Sequence, residues 1–121
     1  MRKILVVDDE NDICDFVRNF FQERGYGVSV ARSGEEAIEL AKKDKPDLVL
    51  LDIKMKGIDG IATLKHLKEI DRKQKVIMVT ALEDQDKMNE ASRLGACDYI
   101  TKPLVLDHLE SAVEKNLGKD M

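Results

Sequence analysis

The sequence predicts a doubly wound α/β fold, in which helices cover both faces of a five-stranded parallel sheet. Five segments with strand character alternate with five segments of helical periodicity. Segments 4–7, 48–51 and 76–79 are nearly continuous apolar runs, which is typical of parallel strands that are buried on both faces. The length of 121 residues suits one domain with a single sizeable core. These observations predict a (βα)5 unit.

The first half of the chain contains three predicted strands and two predicted helices. Strands are expected over residues 3–7, 28–31 and 48–51. A helix over residues 11–24 carries apolar side chains at helical spacing, and the two glycines after it end the helix. Ser33 and Glu36 match the capping box that begins a second helix, and Pro46 ends that helix. The apolar stripe of the first helix comprises Ile13, Phe16, Val17, Phe20 and Phe21.

The second half repeats the same alternation after a turn marked by Gly57, Asp59 and Gly60. Strands are predicted over residues 76–79 and 97–100, and a polar helix over residues 83–94 lies between them. The last helix is predicted over residues 104–117. A further helix is predicted between the turn and the strand at residues 76–79, and its inward stripe comprises Ile61, Leu64, Leu67 and Ile70.

Composition and charge exclude several classes of function. The net charge of -4 and the pI of about 5.2 argue against direct nucleic-acid binding, which needs a basic face. Cys14 and Cys97 are not spaced as a metal-ligand pair, and we expect both to be small core residues in a reducing compartment. No signal peptide is visible, and the apolar runs are too short to cross a bilayer. We therefore expect a cytoplasmic location and no membrane contact.

Polar and charged side chains follow the predicted strands at the points where the strands end. Asp8 and Asp9 follow the first strand, Asp52 the third, Thr80 the fourth and Lys102 the fifth. Parallel strands joined by right-handed crossovers place their carboxyl ends at one edge, where α/β sheets bind ligands. Crowded carboxylates favour a hard divalent cation such as Mg²⁺, and a carboxylate is also a nucleophile that forms an aspartyl phosphate. This pattern predicts metal-assisted phosphoryl transfer.

In this order, these residues resemble the response-regulator receiver domain of two-component signalling. The resemblance covers residues 3–117, and it implies a flavodoxin-like fold with strand order 2-1-3-4-5. We therefore interpret residues 1–121 as a single receiver domain, with no output domain in this chain. The motifs that carry the resemblance are Asp8-Asp9, Asp52, Met55, Asp59-Gly60, Thr80-Ala81, Gly95-Ala96, Asp98-Tyr99 and Lys102-Pro103.

The resemblance implies a role for each residue of the acidic site. Asp52 is the phosphoacceptor, and Lys102 pairs with the phosphoryl group. Asp9 binds Mg²⁺ (or Mn²⁺) directly, together with Asp52, whereas Asp8 binds it mainly through water. Lys54 contributes its backbone carbonyl to the same ion.

The resemblance also implies a switch and a phosphoryl pocket. Thr80 bonds to the phosphoryl group and moves towards it, and the ring of Tyr99 then turns inward. Ala81, Lys54 and Leu82 surround the phosphoryl group. The peptide bond between Lys102 and Pro103 is expected to be cis.

The partners implied by the resemblance are proteins. A sensor histidine kinase or a histidine phosphotransfer protein supplies the phosphoryl group. The surface of the fourth helix, fifth strand and last helix then changes, and a downstream protein or a fused output domain reads it. A homodimer formed on phosphorylation is a further option. Apart from self-phosphorylation and self-dephosphorylation, the resemblance implies no enzymatic turnover.

Three alternative functions remain open from the residues alone. A haloacid-dehalogenase-like phosphatase also phosphorylates an aspartate, but it needs an Asp-x-Asp pattern after the first strand, where this chain has adjacent acids. A flavodoxin-like cofactor binder would need a hydroxyl- and glycine-rich loop there. A receiver used only for docking, without phosphorylation, is disfavoured because every chemical position is filled.

Overall fold

The computed structural model describes residues 1–55, 57–80 and 85–118 and alternates strands with helices along the chain. The strands are β1 (Lys3–Val7), β2 (Gly27–Ala31), β3 (Leu48–Asp52), β4 (Lys75–Thr80) and β5 (Asp98–Thr101). The helices are α1 (Asn11–Glu23), α2 (Gly34–Asp44), α3 (Gly60–Ile70), α4 (Gln85–Arg93) and α5 (Leu106–Leu117).

All five strands are parallel and lie in the order β2-β1-β3-β4-β5, which confirms the predicted fold class and strand order. In this register Val7 pairs with Leu51, so the residues that follow them, Asp8 and Asp52, leave the sheet side by side. Thr80 pairs with Thr101 on the other side of β3. The acidic strand ends and the Lys102 backbone therefore meet at one edge of the sheet.

Two apolar cores lie on the two faces of the sheet, because alternate residues of each buried strand point to opposite sides. On one face Leu51 and Met78 pack against Leu64 of α3. On the other face Leu50 and Ile77 pack with Phe21 of α1, Leu109 of α5 and their neighbours. Both faces are covered, as the continuous apolar runs predicted.

Side-chain caps begin two of the helices close to the site. The Ser33 hydroxyl accepts a hydrogen bond from the Glu36 N–H at 3.1 Å, which confirms the predicted cap of α2. The Glu36 carboxylate accepts from the N–H of Arg32 rather than from that of Ser33. Asp59 caps α3 by accepting from the Ala62 N–H at 2.8 Å.

Two side chains that were predicted to lie inward, Cys97 and Ile70, are exposed, and so is Phe16 of the apolar stripe of α1. Cys97 is exposed because it lies in the connection before β5, which begins one residue later than predicted. Phe16 is 48% exposed and Ile70 is 42% exposed, because the apolar stripes of α1 and α3 are wider than the faces that the sheet covers. Cys14, in contrast, is fully buried as predicted.

The remaining differences concern the ends of elements. β2 begins one residue earlier than predicted, and α5 begins two residues later, at Leu106. Residues 83 and 84, at the predicted start of the fourth helix, lie outside the described part of the chain. Among the helices of the described residues, none is both long and apolar enough to span a membrane.

Candidate functional site

The backbone holds the predicted site residues at the carboxyl edge of the sheet. The Asp8 N–H donates to the carbonyl of Ala31 at 3.1 Å, which ties the end of β1 to the end of β2. The Lys102 N–H donates to the carbonyl of Thr80 at 2.8 Å. These bonds continue the strand pairing past the last strand residues, so the side chains there have little freedom of position.

Three carboxylates form an acidic cluster at this edge. Asp8, Asp9 and Asp52 each offer an oxygen atom, and these atoms lie within 4.8 Å of one another. Asp8 and Asp52 are each 3% exposed, whereas Asp9 is half-buried. Mg²⁺ prefers hard oxygen ligands and usually takes one or two carboxylates along with water. The donor set therefore fits a Mg²⁺ ion.

Lys102 is the cation that faces the acidic cluster. Its Nζ donates to Asp52 Oδ2 at 3.1 Å and lies 3.9 Å from Asp8 Oδ2. Burial by itself lowers the pKa of Lys102, but the hydrogen bond and charge of Asp52 and the charge of Asp8 outweigh it, so the pKa is raised. The ammonium therefore stays charged at neutral pH beside both aspartates. The peptide bond that follows it, to Pro103, is cis, as expected.

Burial makes the negative charge of the cluster costly. Desolvation raises the pKa of Asp8 to about 6, with a further rise from the charge of Asp52, against a hydrogen bond from the Glu10 N–H. Burial likewise raises the pKa of Asp52, although the hydrogen bond and charge of Lys102 lower it. A cation bound at the cluster would offset this cost, which is a physical reason for the site to take one.

The Asp52 side chain is held at both of its oxygens. Oδ2 accepts from Lys102, and Oδ1 accepts from the backbone N–H of Lys54 at 3.2 Å. The Ile53 N–H donates to the carbonyl of Val79 at 3.0 Å, which extends the β3–β4 pairing past Asp52. The side chain of Lys54 is exposed, and the role of its carbonyl stays a prediction.

Gly60 supports the acidic strand end in a way that the sequence did not reveal. Its N–H donates to the carbonyl of Ile53 at 2.9 Å. A Cβ atom at this position would lie 2.6 Å from Ile53 Cα and closer still to the carbonyl oxygen of Asp52. The only sequence signal was the Asp59-Gly60 turn. The absence of a side chain at Gly60 is what lets α3 begin directly against the backbone of Asp52.

Cys14 is a second contact that sequence reasoning missed. Its thiol donates to the backbone carbonyl of Asp8 at 3.2 Å from inside the core. Burial raises the pKa of this thiol, and the charge of Asp8 raises it further. The side chain therefore supports the acidic loop as a neutral donor.

The two predicted switch residues lie on the same face of the sheet. Thr80 is buried at the end of β4, two positions after Met78, and Met78 pairs with Tyr99 on β5. The Tyr99 ring packs against the core on the α3 and α4 side. Among the described residues, its buried hydroxyl has no hydrogen-bond partner. Ala81 and Leu82, the other predicted pocket residues, lie outside the described residues.

Comparisons with known proteins agree with this geometry. Residues 4–114 match the family model of the response regulator receiver domain. The chain belongs to this family. Sporulation initiation phosphotransferase F of Bacillus subtilis is 41% identical over 95% of the chain and 93% of its own length. Transcriptional regulatory protein ZraR of Escherichia coli is 40% identical over 95% of the chain, which spans 26% of that longer relative.

A solved structure also resembles the fold of the chain. The chemotaxis protein CheY4 of Vibrio cholerae superimposes with a TM-score of 0.91 at 27% identity, covering 96% of this chain and 98% of that one. Receiver domains act as phosphoacceptors in two-component signalling. As a member of this family, the chain has that role. The phosphatase and docking alternatives have no support, and the family is not one of catalytic enzymes.

Proposed function

We propose that Asp52 is the residue that receives the phosphoryl group. The observation that carries this proposal is the position of its carboxylate, which contacts Lys102 at 3.1 Å and shares the acidic cluster with Asp8 and Asp9. Asp9 has a less buried position than the other two acids. We assign it, with Asp52 and the Lys54 carbonyl, to the metal, and Asp8 mainly to water bound there.

The transfer needs a carboxylate with an accessible oxygen and an electron-poor phosphorus. An oxygen of ionised Asp52 attacks the phosphorus of a phosphohistidine, and the bond from phosphorus to the imidazole nitrogen breaks. The imidazole keeps the electron pair and takes a proton from water. The Lys102 ammonium exchanges its hydrogen bond to the Asp52 carboxylate for one to a phosphoryl oxygen, and it stabilises the negative charge that develops on that oxygen. Mg²⁺ bound at the acidic cluster supplies further charge neutralisation.

The switch follows from the loss of the Asp52–Lys102 hydrogen bond when Asp52 is phosphorylated. We expect Thr80 to bond to the phosphoryl group and Tyr99 to respond, because both lie on one face of neighbouring strands. The surface of α4, β5 and α5 then changes by a shift in the population of pre-existing conformations. A downstream protein, a fused output domain or a second copy of the domain reads that surface.

The proposal includes the partners and the setting of the reaction. A sensor histidine kinase or a histidine phosphotransfer protein donates the phosphoryl group. Self-phosphorylation from small donors and self-dephosphorylation are the remaining activities that we assign to the domain. We interpret residues 1–121 as one receiver domain and expect it to work in the cytoplasm, without direct contact to nucleic acid or membrane.

Intact mass after incubation with acetyl phosphate and Mg²⁺ tests the proposal. We expect a gain of one phosphoryl group in the wild-type protein and none in Asp52→Asn, because the amide is not a nucleophile. Asp12→Asn is the matched control, since it removes one negative charge from the exposed first turn of α1, and it should be phosphorylated like wild type. A full gain of mass in Asp52→Asn would refute the assignment.

We expect the phosphoryl group to be long-lived, because the family resemblance implies that Lys54 and Leu82 flank the phosphorylation site and neither residue type is suited to orienting an attacking water molecule. Replacing Lys54 by Asn or Glu should therefore speed the loss of phosphate from isolated phosphoprotein, by about tenfold for a well-placed polar group. The measurement is the decay of the phosphorylated mass over time with Mg²⁺ present. Faster decay in the wild type than in either variant would overturn this prediction.

A further inference from the structure

A basic cleft lies at the edge of the sheet opposite the acidic cluster. The cleft has a volume of about 740 Å³, in the range of ligand-binding pockets. β3 and β4 begin beside it, and α2, α3 and α5 end there. The charged residues that line it are the cations Arg2, Lys42, Lys45, Lys73 and Lys75 and the acids Asp47 and Asp71.

The charge of the cleft is opposite to that of the chain, whose net charge is -4. The two acids already bind backbone: Asp47 accepts from the Lys3 N–H at 2.8 Å, and Asp71 accepts from the Lys73 N–H at 2.9 Å. Across residues 1–55, 57–80 and 85–118, no hydrogen bond or ion pair engages the ammonium groups of Lys42, Lys45 and Lys73. These three cations are available to a ligand.

Compensation of helix dipoles accounts for only part of this charge. Lys75 donates to the Asn116 carbonyl at the end of α5, and Lys68 donates to the Gln74 carbonyl at 2.6 Å beyond α3. Lys42 lies in the last turn of α2, where a cation is stabilising. Lys45 is the C-cap residue of α2, and Lys73 lies two residues past Asp71, the C-cap of α3, so both also lie near helix C-termini. Within the described part of the chain neither ammonium donates to a helix carbonyl, so no specific structural contact accounts for either side chain.

The backbone conformation of Lys45 supports the same conclusion. It has a φ of 48°, in the left-handed region that glycine or asparagine adopts at less cost. A lysine at this cap costs stability on the order of 1 kcal/mol relative to glycine. The dipole of α2 offsets part of this cost, and a charge that serves binding would account for the rest.

The cleft also has apolar lining residues. Among them Ile70 is 42% exposed and Leu117 is half-buried. The buried amide of Gln74 donates to the carbonyls of Pro46 and Lys75, at 3.1 and 3.2 Å, and so closes the floor. A ligand that fits would combine several negative charges at the rim with an apolar group in the centre.

The cations of the cleft suit carboxylates that are spread along a peptide better than they suit a single compact phosphate. Lysine binds a phosphate only as a flexible point charge, without the bidentate geometry that an arginine fork or the N–H groups of a helix N-terminus provide. Here three helix C-termini face the cleft, and their partial negative charge opposes a concentrated anion at its centre. We propose that the basic cleft binds an acidic segment of a partner protein that carries a large apolar side chain. The proposal does not depend on phosphorylation of Asp52.

The test uses the whole chain and a fluorescein-labelled peptide, Glu-Glu-Leu-Glu-Glu, followed by fluorescence anisotropy at low salt. The rim variant Lys42→Gln/Lys45→Gln/Lys73→Gln should bind about tenfold more weakly than wild type. The control variant Lys65→Gln/Lys87→Gln/Lys115→Gln carries the same net charge and should change affinity by less than about twofold. Ile70→Ser should also weaken binding, and thermal melts establish that each variant is folded.

Several results would overturn the proposal. Equal losses in the rim and control variants would mean attraction by net charge alone, and no binding at millimolar peptide would mean no site. Equal binding of the Gln-Gln-Leu-Gln-Gln peptide would show that the negative charges of the peptide do not contribute to binding. Competition by inorganic triphosphate at lower concentration than the unlabelled peptide would indicate a small anion as ligand. Sedimentation that shows oligomers of wild type, absent in the rim variant, would indicate a second copy as the occupant.

Discussion

Replacing Asp8 by asparagine is expected to increase the free energy of unfolding of the metal-free protein at neutral pH. The carboxyl group has a pKa of about 6 in the folded protein, against an ordinary value of 3.8, because it is buried beside Asp52. Ionised Asp8 therefore destabilises the folded state, and the shift corresponds to on the order of 2–3 kcal/mol. Asparagine keeps an acceptor for the Glu10 N–H without the charge. We expect a gain of roughly 1–3 kcal/mol in the variant.

The pH dependence has a defined sign. Because the folded pKa is raised, the folded state holds more protons than the unfolded state between the ordinary value of 3.8 and about 6. Wild-type stability should thus fall as the pH rises through this window, and the advantage of Asp8→Asn should vanish near pH 4. Urea unfolding at several pH values measures this.

With Mg²⁺ present, the wild-type protein should become more stable than Asp8→Asn. A cation that binds only the folded state stabilises it, and the stabilisation should be larger in wild type, which has the complete acidic cluster. Asp12→Asn controls for the loss of one charge near α1 and should show neither effect. Lower stability of Asp8→Asn at pH 7 without metal would contradict this account.

Gly60→Ala should be strongly destabilising and should also slow phosphorylation. The added Cβ would lie 2.6 Å from Ile53 Cα and even nearer to the Asp52 carbonyl oxygen. Both neighbours are backbone atoms, so the end of β3 or the start of α3 must move. Overpacking of this kind costs roughly 3 kcal/mol, and movement at Asp52 also displaces its carboxylate from Lys102.

Gly27→Ala is the matched control for this substitution. Its Cβ would meet the sulfur of Met1 at 3.0 Å, but Met1 is 91% exposed and can turn away. We expect a change within about 1 kcal/mol of wild type, in either direction. Urea unfolding and the rate of mass gain with acetyl phosphate measure both variants. Gly60→Ala as stable and as reactive as Gly27→Ala would show that the close approach at Asp52 is unimportant.

The fold and the acidic strand ends were predictable because they depend on short-range patterns. Continuous apolar runs indicated β1, β3 and β4, and the residues after each run had to meet at one edge once the strands were parallel. The capped start of α2 depends on Ser33 and Glu36, three residues apart. None of these inferences needed the packing of distant side chains.

Other features depend on packing that the sequence does not express. Ile70 continues the apolar stripe of α3, yet it is 42% exposed in the last position of that helix, where it lines the basic cleft. Cys97 sits in an apolar pattern but precedes β5. The close approach of Gly60 arises only when α3 packs against the end of β3, and the pKa of Asp8 is raised only when folding buries its carboxyl group beside Asp52. The basic cleft joins residues from the ends of separate elements.

The central claim is that Asp52 itself forms the acyl phosphate, and chemical reduction tests it most directly. Borohydride converts an aspartyl phosphate to homoserine, and the position of homoserine can be read by peptide mass spectrometry after digestion. We predict homoserine at position 52 only in protein treated with acetyl phosphate and Mg²⁺ before reduction. Homoserine at Asp8 or Asp9, or a phosphate that survives reduction on a hydroxyl side chain, would contradict the account.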